Sequence, residues 1–242
     1  NAIRHAVDKR NIPGQFILTG SAIPRDEIKA HTGIGRISRV LMRPMSLFES
    51  KESIGVVSLR GLFDGNHKIE AVSKLEIPHI AHLICRGRCA GMVSLFKVEN
   101  NCQDLGQKAL VDPSIATAIM RVEADRLLRD PESFGFLFES LCTRDMRIYA
   151  QVNDGEIFHY RDKDNLEIDL IISLHDGRWA PVEVKLGEHR IEEAAESLMR
   201  LKNKVSTSRI GEPSFMMVLT GGRYAYRCPD GILVVPLGCL KD

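Results

Sequence analysis

Three apolar runs set close together do most to limit how this chain can fold: GEIFHYRD (155–162), LEIDLIISL (166–174) and RWAPVEVKL (178–186). Each is short for a helix and rich in β-branched and aromatic residues, the pattern of strands. KDN and HDG lie between them and supply turn residues, so consecutive antiparallel hairpins are expected. Strand side chains repeat every second residue. Leu166, Ile168, Leu170, Ile172 and Leu174 are therefore expected on one face of the middle strand, with Glu167, Asp169 and Ile171 on the other. In the third strand Ala180, Val182, Val184 and Leu186 take one side, leaving Glu183 beside Lys185 on the other.

The flanking segments extend this frame. Asp130 and Pro131 form a helix start, as cap and first-turn proline, before FGFLFESLCTRDMRIYA. Its apolar face comprises Phe134, Leu137, Phe138, Leu141 and Cys142. RIEEAAESLMRLKNKV is amphipathic through Ile191, Ala195, Leu198, Leu201 and Val205. SFMMVLTG reads as a further strand, and two short strands around CPDGILVVPL follow. Upstream, NAIRHAVDKR reads as a helix ended by Pro13 and Gly14, and QFILTGSA and RISRVLMRPMS as strands. EIPHIAHLICRG is one helix. The expected class is α/β.

At 242 residues the chain holds one large domain or two ordinary ones. Net charge is +1, so no global field draws in nucleic acid and any such contact needs a local patch. Arg144, Arg147, Arg161, Lys163 and Arg190 are the candidates for phosphate contacts, with solvated surface charge as the plain alternative. The longest apolar runs, such as GILVVPLGCL, reach half of the roughly 20 residues a membrane helix needs, and no membrane partner is expected. There is no signal peptide pattern, and since the first residue is Asn1 the natural start is expected to be missing. Six cysteines without a CxxC pair suit a reducing cytoplasm. His79, His82, Cys85 and Cys89 are a conceivable zinc cluster, but a helix with core histidines and cysteines explains them more simply.

The chemistry lies with the carboxylates. If the second and third strands pair, Asp169 stands near Glu183 and Lys185. Mg²⁺ is typically held by one or two carboxylates plus waters and substrate phosphate. A neighbouring ammonium orients an activated water or stabilises charge developing on a phosphodiester. Glu139, set among apolar residues of the preceding helix, is a further member, since an unpaired charge there is costly. The competing reading is a cross-strand salt bridge on a solvated face.

Asp169 followed by EVK at 183–185, with Glu139 on the helix before, resembles the PD-(D/E)XK nuclease superfamily. The run VDPSIATAIM, LLRDPESFGFLFESLCTRDMRIYAQ, HYRDKDNLEIDLII and GRWAPVEVKLG resembles more closely a C-terminal domain of unknown function that follows an AAA-type ATPase core in many bacterial and archaeal proteins. That resemblance covers about residues 111–242 and implies a restriction-endonuclease-like mixed sheet flanked by helices. It implies Asp169 and Glu183 as Mg²⁺ ligands, Lys185 as the water-positioning group, and Glu139 as an auxiliary ligand or orienter.

Residues 1–62 resemble the end of the ATPase core of the same proteins, with 63–110 a shortened helical connector. PGQFILTGSA resembles the strand carrying the polar nucleotide-sensing position, here Thr19 or Ser21. HTGIGRISRVLMRPMSLFES resembles the next segment, where Arg36 occupies a place comparable to an arginine finger. A plain turn residue and a solvated cation are the alternatives for Ser21 and Arg36. No G-x-x-x-x-G-K-[ST] occurs, and the acidic metal-binding strand is absent, so the cradle for ATP phosphates is missing. Ser94 runs directly into Leu95-Phe96 where family members carry a winged-helix-like part, and Cys89 replaces an expected tryptophan. The expectation is a truncated member that does not hydrolyse ATP, ATP belonging to the full-length family only. Its C-terminal domain resembles a Mg²⁺-dependent nuclease acting on DNA, partnered by further copies or by the missing ATPase portion. A catalytically inactive DNA- or protein-binding module, or a non-functional gene remnant, is the alternative.

Overall fold

The computed structural model describes residues 2–10, 16–17, 43–86, 112–205 and 210–242. The chain divides into two compact units, Asn1–Met42 and Arg43–Asp242. In the first, α1 (Ala2–Arg10) ends in Lys9 and Arg10, cations that suit the negative end of a helix. Thr19, Ser21 and Arg36 lie outside the described residues, as does most of QFILTGSA and RISRVLMRPMS.

The second unit runs β1 (Val57–Ser58), α2 (Leu59–Phe63), β2 (Ala71–Val72), α3 (Ile77–Arg86), α4 (Pro113–Met120), α5 (Ala124–Arg129), α6 (Pro131–Val152), β3 (Gly155–Arg161), β4 (Glu167–Leu174), β5 (Trp179–Lys185), α7 (Ile191–Lys204), β6 (Met217–Thr220), β7 (Tyr224–Arg227), β8 (Leu233–Pro236) and β9 (Leu240–Lys241). Seven strands form one mixed sheet in the order β2-β7-β8-β6-β5-β4-β3, and β1 pairs with β9 separately. β3, β4 and β5 are consecutive antiparallel neighbours, while β6 lies parallel to β5 and to β8. A crossover helix such as α7 is what a parallel β5–β6 pair requires. The class is α/β, a mixed sheet flanked by helices. Among the described residues no helix is long and apolar enough to cross a membrane.

Each sheet face has its own core. α6 begins where the side chain of Asp130 accepts the Ser133 N–H at 3.1 Å, with Pro131 in the first turn. It buries Phe134, Leu137, Phe138, Leu141, Cys142 and Met146 together with Leu170, Ile172, Val182, Val184 and Leu219 of the sheet. α3 adds Ile80, Leu83 and Ile84 to that core. On the opposite face α7 packs Ile191, Ala194, Leu198 and Leu201 over Leu166, Ile168, Trp179, Val218 and Val234. With roughly 25 cal/mol gained per Å² of apolar surface buried, these two layers supply most of the drive to fold.

One expectation about the faces is corrected. Leu166 and Ile168 belong to the α7 core, whereas Leu170, Ile172 and Leu174 belong to the α6 core. The pairing explains why. Phe158 opposes Ile171, but Tyr160 opposes Ile168, so β4 has one residue more than β3 across this step. Such a bulge breaks the period of two and re-aims the side chains at it. It falls at Asp169 and Leu170.

Two further features fasten residues 43–63 into this unit. Arg144 is 2% exposed and Asp145 is fully buried, and the guanidinium spans Asp145 (2.7 and 2.9 Å) and Asp112 (3.1 Å). Asp145 also accepts the Leu47 N–H at 2.7 Å. At the other end Ser53 Oγ donates to the Leu240 carbonyl (2.5 Å) and Ser58 Oγ to that of Asp242 (2.7 Å), beside the parallel β1–β9 pair.

Candidate functional site

The cross-strand ladder of β4 and β5 stops at the pair Leu170 and Val182. Beyond it the bulged strand presents a side chain in place of backbone: Asp169 Oδ2 accepts the N–H of Val184 at 2.7 Å. Glu183 and Lys185 project from β5 at alternate positions, and Lys185 Nζ lies 2.6 Å from Glu183 Oε2 and 3.6 Å from Asp169 Oδ2. Asp169, Glu183 and Lys185 therefore meet at one end of the β4–β5 pair. Both faces of β5 are buried from Trp179 to Val184, so this is no solvated ladder of surface charge. Only 5% of the Glu183 side chain reaches solvent.

Burial, and then the adjacent Asp169 charge, push the Glu183 carboxyl up to about 8, and the Lys185 ammonium only partly offsets them. The Glu183 carboxyl therefore keeps its proton at neutral pH beside the Asp169 charge. Burial works against the Lys185 ammonium, yet the Asp169 and Glu183 charges outweigh it and hold its pKa above the ordinary value. With Glu183 protonated, the Asp169 charge and the Lys185 ammonium cancel. That balance lets the cluster sit in a mostly buried place.

Glu139 stands on α6, one turn before the fully buried Cys142. The Cys142 thiol is raised well above its usual value, first by burial and then by the charges of Asp145, Glu139 and Asp169. Glu139 and Asp169 thus act on the same buried thiol from the helix and from the sheet. Among the described residues no three His, Cys, Asp or Glu side chains are grouped to hold a metal ion. The candidate metal donors are the two strand carboxyls that both approach Lys185. That set fits a hard dication such as Mg²⁺, which needs one or two carboxylates and completes its shell with water and substrate oxygens.

Of the basic residues read as phosphate contacts, Arg144 is excluded, because it is locked between Asp145 and Asp112 in the core. The error was to read a mid-helix arginine as surface charge when its acidic partners were one and thirty-two residues away. Arg190 forks onto Glu193 at 2.8 and 2.9 Å and lies within the field of Glu183 and Asp169. Arg161 is 3.8 Å from Glu167. His159 was missed. It sits opposite the bulge, with Nδ1 3.4 Å from the Asp169 carbonyl oxygen and Nε2 3.0 Å from Glu167 Oε1. HYR on a predicted strand carried no sign of this, since the bulge that turns His159 and Asp169 to one another is not visible in the period.

His79 and Cys85, of the conceivable zinc cluster, are otherwise engaged: His79 Nε2 is 3.3 Å from Glu52, and the Cys85 thiol donates to the Val122 carbonyl at 3.5 Å. Cys89 lies outside the described residues.

Residues 134–240 match a domain of unknown function, DUF4143. The match spans Glu139, Asp169, Glu183 and Lys185, so all four candidate residues fall in the part of the chain that is similar to that family. No curated protein and no solved structure matches the chain.

Proposed function

We propose that residues 111–242 carry a Mg²⁺-dependent phosphodiester-cleaving centre of the nuclease type, with DNA as substrate. The observation that supports it is the meeting of Asp169 and Glu183 at the bulged end of β4, Glu183 held protonated by burial and by the Asp169 charge, with Lys185 at 2.6 Å from Glu183. A salt bridge built for stability needs one acid per base; a second carboxyl pressed against the first is a strained arrangement that a dication relieves. Asp169 and Glu183 would hold the metal, whose chemistry is to polarise a phosphoryl oxygen. Glu183 would lose its proton on taking the metal, and Lys185 would then be free to orient the attacking water or to donate a hydrogen bond to the oxygen gathering charge. In the hydrolysis the water oxygen bonds to phosphorus as its proton passes to solvent, the bond to the leaving sugar oxygen breaks, and solvent returns a proton to that oxygen. Glu139 serves as auxiliary orienter from α6. Residues 1–62 are in this reading related to the end of an AAA-type ATPase core.

The test is incubation of the purified chain with supercoiled plasmid and Mg²⁺ or Mn²⁺. Nicking that disappears in both Asp169→Ala and Lys185→Ala supports the centre. Nicking that persists in them belongs to a contaminant, and absence of nicking with either metal sinks the catalytic reading. In the latter case, salt-dependent retention of DNA would identify a binding module on the same fold.

A further inference from the structure

A separate cavity lies away from the carboxylate cluster. It has a volume of about 580 Å³, within the range of small-molecule sites, and opens between the turn at 47–51 and the start of α3. Its apolar wall is Phe48, Ile54 and Leu75, and its charged lining includes Lys51 and Lys74. We propose that this cavity binds a small organic anion that carries an aromatic ring, the ring against Phe48 and the anionic group between Lys51 and Lys74.

Three observations carry the proposal. The first is uncompensated charge. Neither the Lys51 nor the Lys74 ammonium has a hydrogen-bond or ion-pair partner among the described residues. Two carboxylates also line the cavity and are engaged locally. Glu49 accepts the Ser46 N–H (2.7 Å) and hydroxyl (2.9 Å), and Glu52 faces Arg86 at 3.0 Å and His79 at 3.3 Å. Lys241, outside the cavity lining, has its Nζ 5.9 Å from the centre of the Phe48 ring.

The second is the backbone at Lys51. Its N–H bonds the Phe48 carbonyl, and the next residue bonds that of Leu47, so Lys51 closes a helical turn. Its φ is 65°, the left-handed region where glycine is the least costly occupant. A lysine at a glycine position, with its side chain on a cavity, is a residue whose side chain has a use there.

The third is the fixed ring. Gly55 has φ 62°, and a Cβ added there would collide with the Phe48 ring. The ring therefore rests on bare backbone at Gly55 and forms part of the cavity wall. Apolar wall and two lining cations together favour an amphiphilic anion over a bare ion or a neutral ring.

The experiment is calorimetric titration of the full chain with phenyl phosphate, inorganic phosphate and phenol. Phenyl phosphate is expected to bind at least roughly tenfold more tightly than either fragment. Lys51→Gly removes the cation and suits the left-handed backbone, so it should unfold at the same temperature as the parent or higher while losing roughly tenfold in affinity. Lys74→Gln, at an exposed position, should lose a similar factor. Phenyl phosphate binding unchanged in both variants overturns the proposal, as does binding no tighter than inorganic phosphate, or no binding at all.

Discussion

The N–H of Val184 is satisfied by a side chain, Asp169 Oδ2 at 2.7 Å, where the rest of the β4–β5 ladder uses carbonyls. One carboxylate thus does two things: it finishes the strand pairing, and it adds to the upward push that burial gives the Glu183 pKa. The two roles separate in a single substitution.

Asp169→Asn retains an oxygen to accept from Val184 and removes the charge beside Glu183. Stability in urea is expected to fall by about 1 kcal/mol, the difference between a charge-assisted hydrogen bond and a neutral one. The Glu183 titration, read by carboxyl NMR, should move down toward the ordinary range, and metal-dependent cleavage should vanish. A Glu183 titration that stays put would show the two acids to be independent.

The raised Glu183 pKa has a definite sign. Its carboxyl titrates near 8 when folded against an ordinary 4.5, so between those values the folded state holds more protons than the unfolded one. Stability therefore falls as pH rises through this window, and what protonation contributes is lost as pH passes the folded pKa. Glu183→Gln should flatten that slope and raise the melting temperature at pH 8 relative to the parent, measured by thermal unfolding from pH 5 to 9. A steeper slope in the variant contradicts the assignment.

Metal affinity should carry the opposite pH trend. A dication competes with the Glu183 proton, so the apparent Mg²⁺ affinity should weaken roughly tenfold for each pH unit below the Glu183 pKa. Titration with Mn²⁺ followed by water proton relaxation at pH 6, 7 and 8 reads this directly. Affinity independent of pH would place the ion elsewhere.

Arg144→Met leaves Asp145 and Asp112 buried without their cation, and loss of one partner of a buried ion pair costs roughly 3–5 kcal/mol. Chemical denaturation should show this loss, and the Leu47 N–H, bonded to Asp145, should exchange faster with deuterium. A variant as stable as the parent would mean that the three-way contact contributes nothing.

Gly155→Ala tests the turn into β3. A Cβ there would stand 2.6 Å from Leu174 Cδ2 and 2.9 Å from the Ser173 carbonyl oxygen. The crowding is expected to destabilise by roughly 1–3 kcal/mol, read from the urea midpoint.

Much of the frame was legible because it rests on local patterns. The helix beginning at Asp130, the three hairpin strands, the amphipathic α7 and the strand that follows are all written in caps, turn residues and periods. The approach of Asp169 to Glu183 and Lys185 was likewise readable from two neighbouring strands. What stayed hidden depends on partners distant in the chain or on an interrupted period. The bulge at Asp169 and Leu170 splits one apolar stripe between two cores, because the extra residue is defined only against β3. Arg144 looked like surface charge because Asp112, its remote partner, lies thirty-two residues upstream. β2 joins the sheet beside β7 across more than 150 residues, and two residues carry no period at all.

The clasp between β1 and β9 also bears on how this unit is assembled during synthesis. Ser53 and Val57 find their partner in Leu240, and 187 residues separate the Ser53 hydroxyl from its acceptor. The chain emerges from the ribosome at roughly 5–20 residues per second, so the segment near 53–58 waits on the order of ten seconds or more for its partner to be made. Until then an exposed two-residue edge and the apolar Leu59, Leu62 and Phe63 beside it have no lid. A nascent chain halted before residue 240 should therefore be a chaperone client, and one extended past it should not.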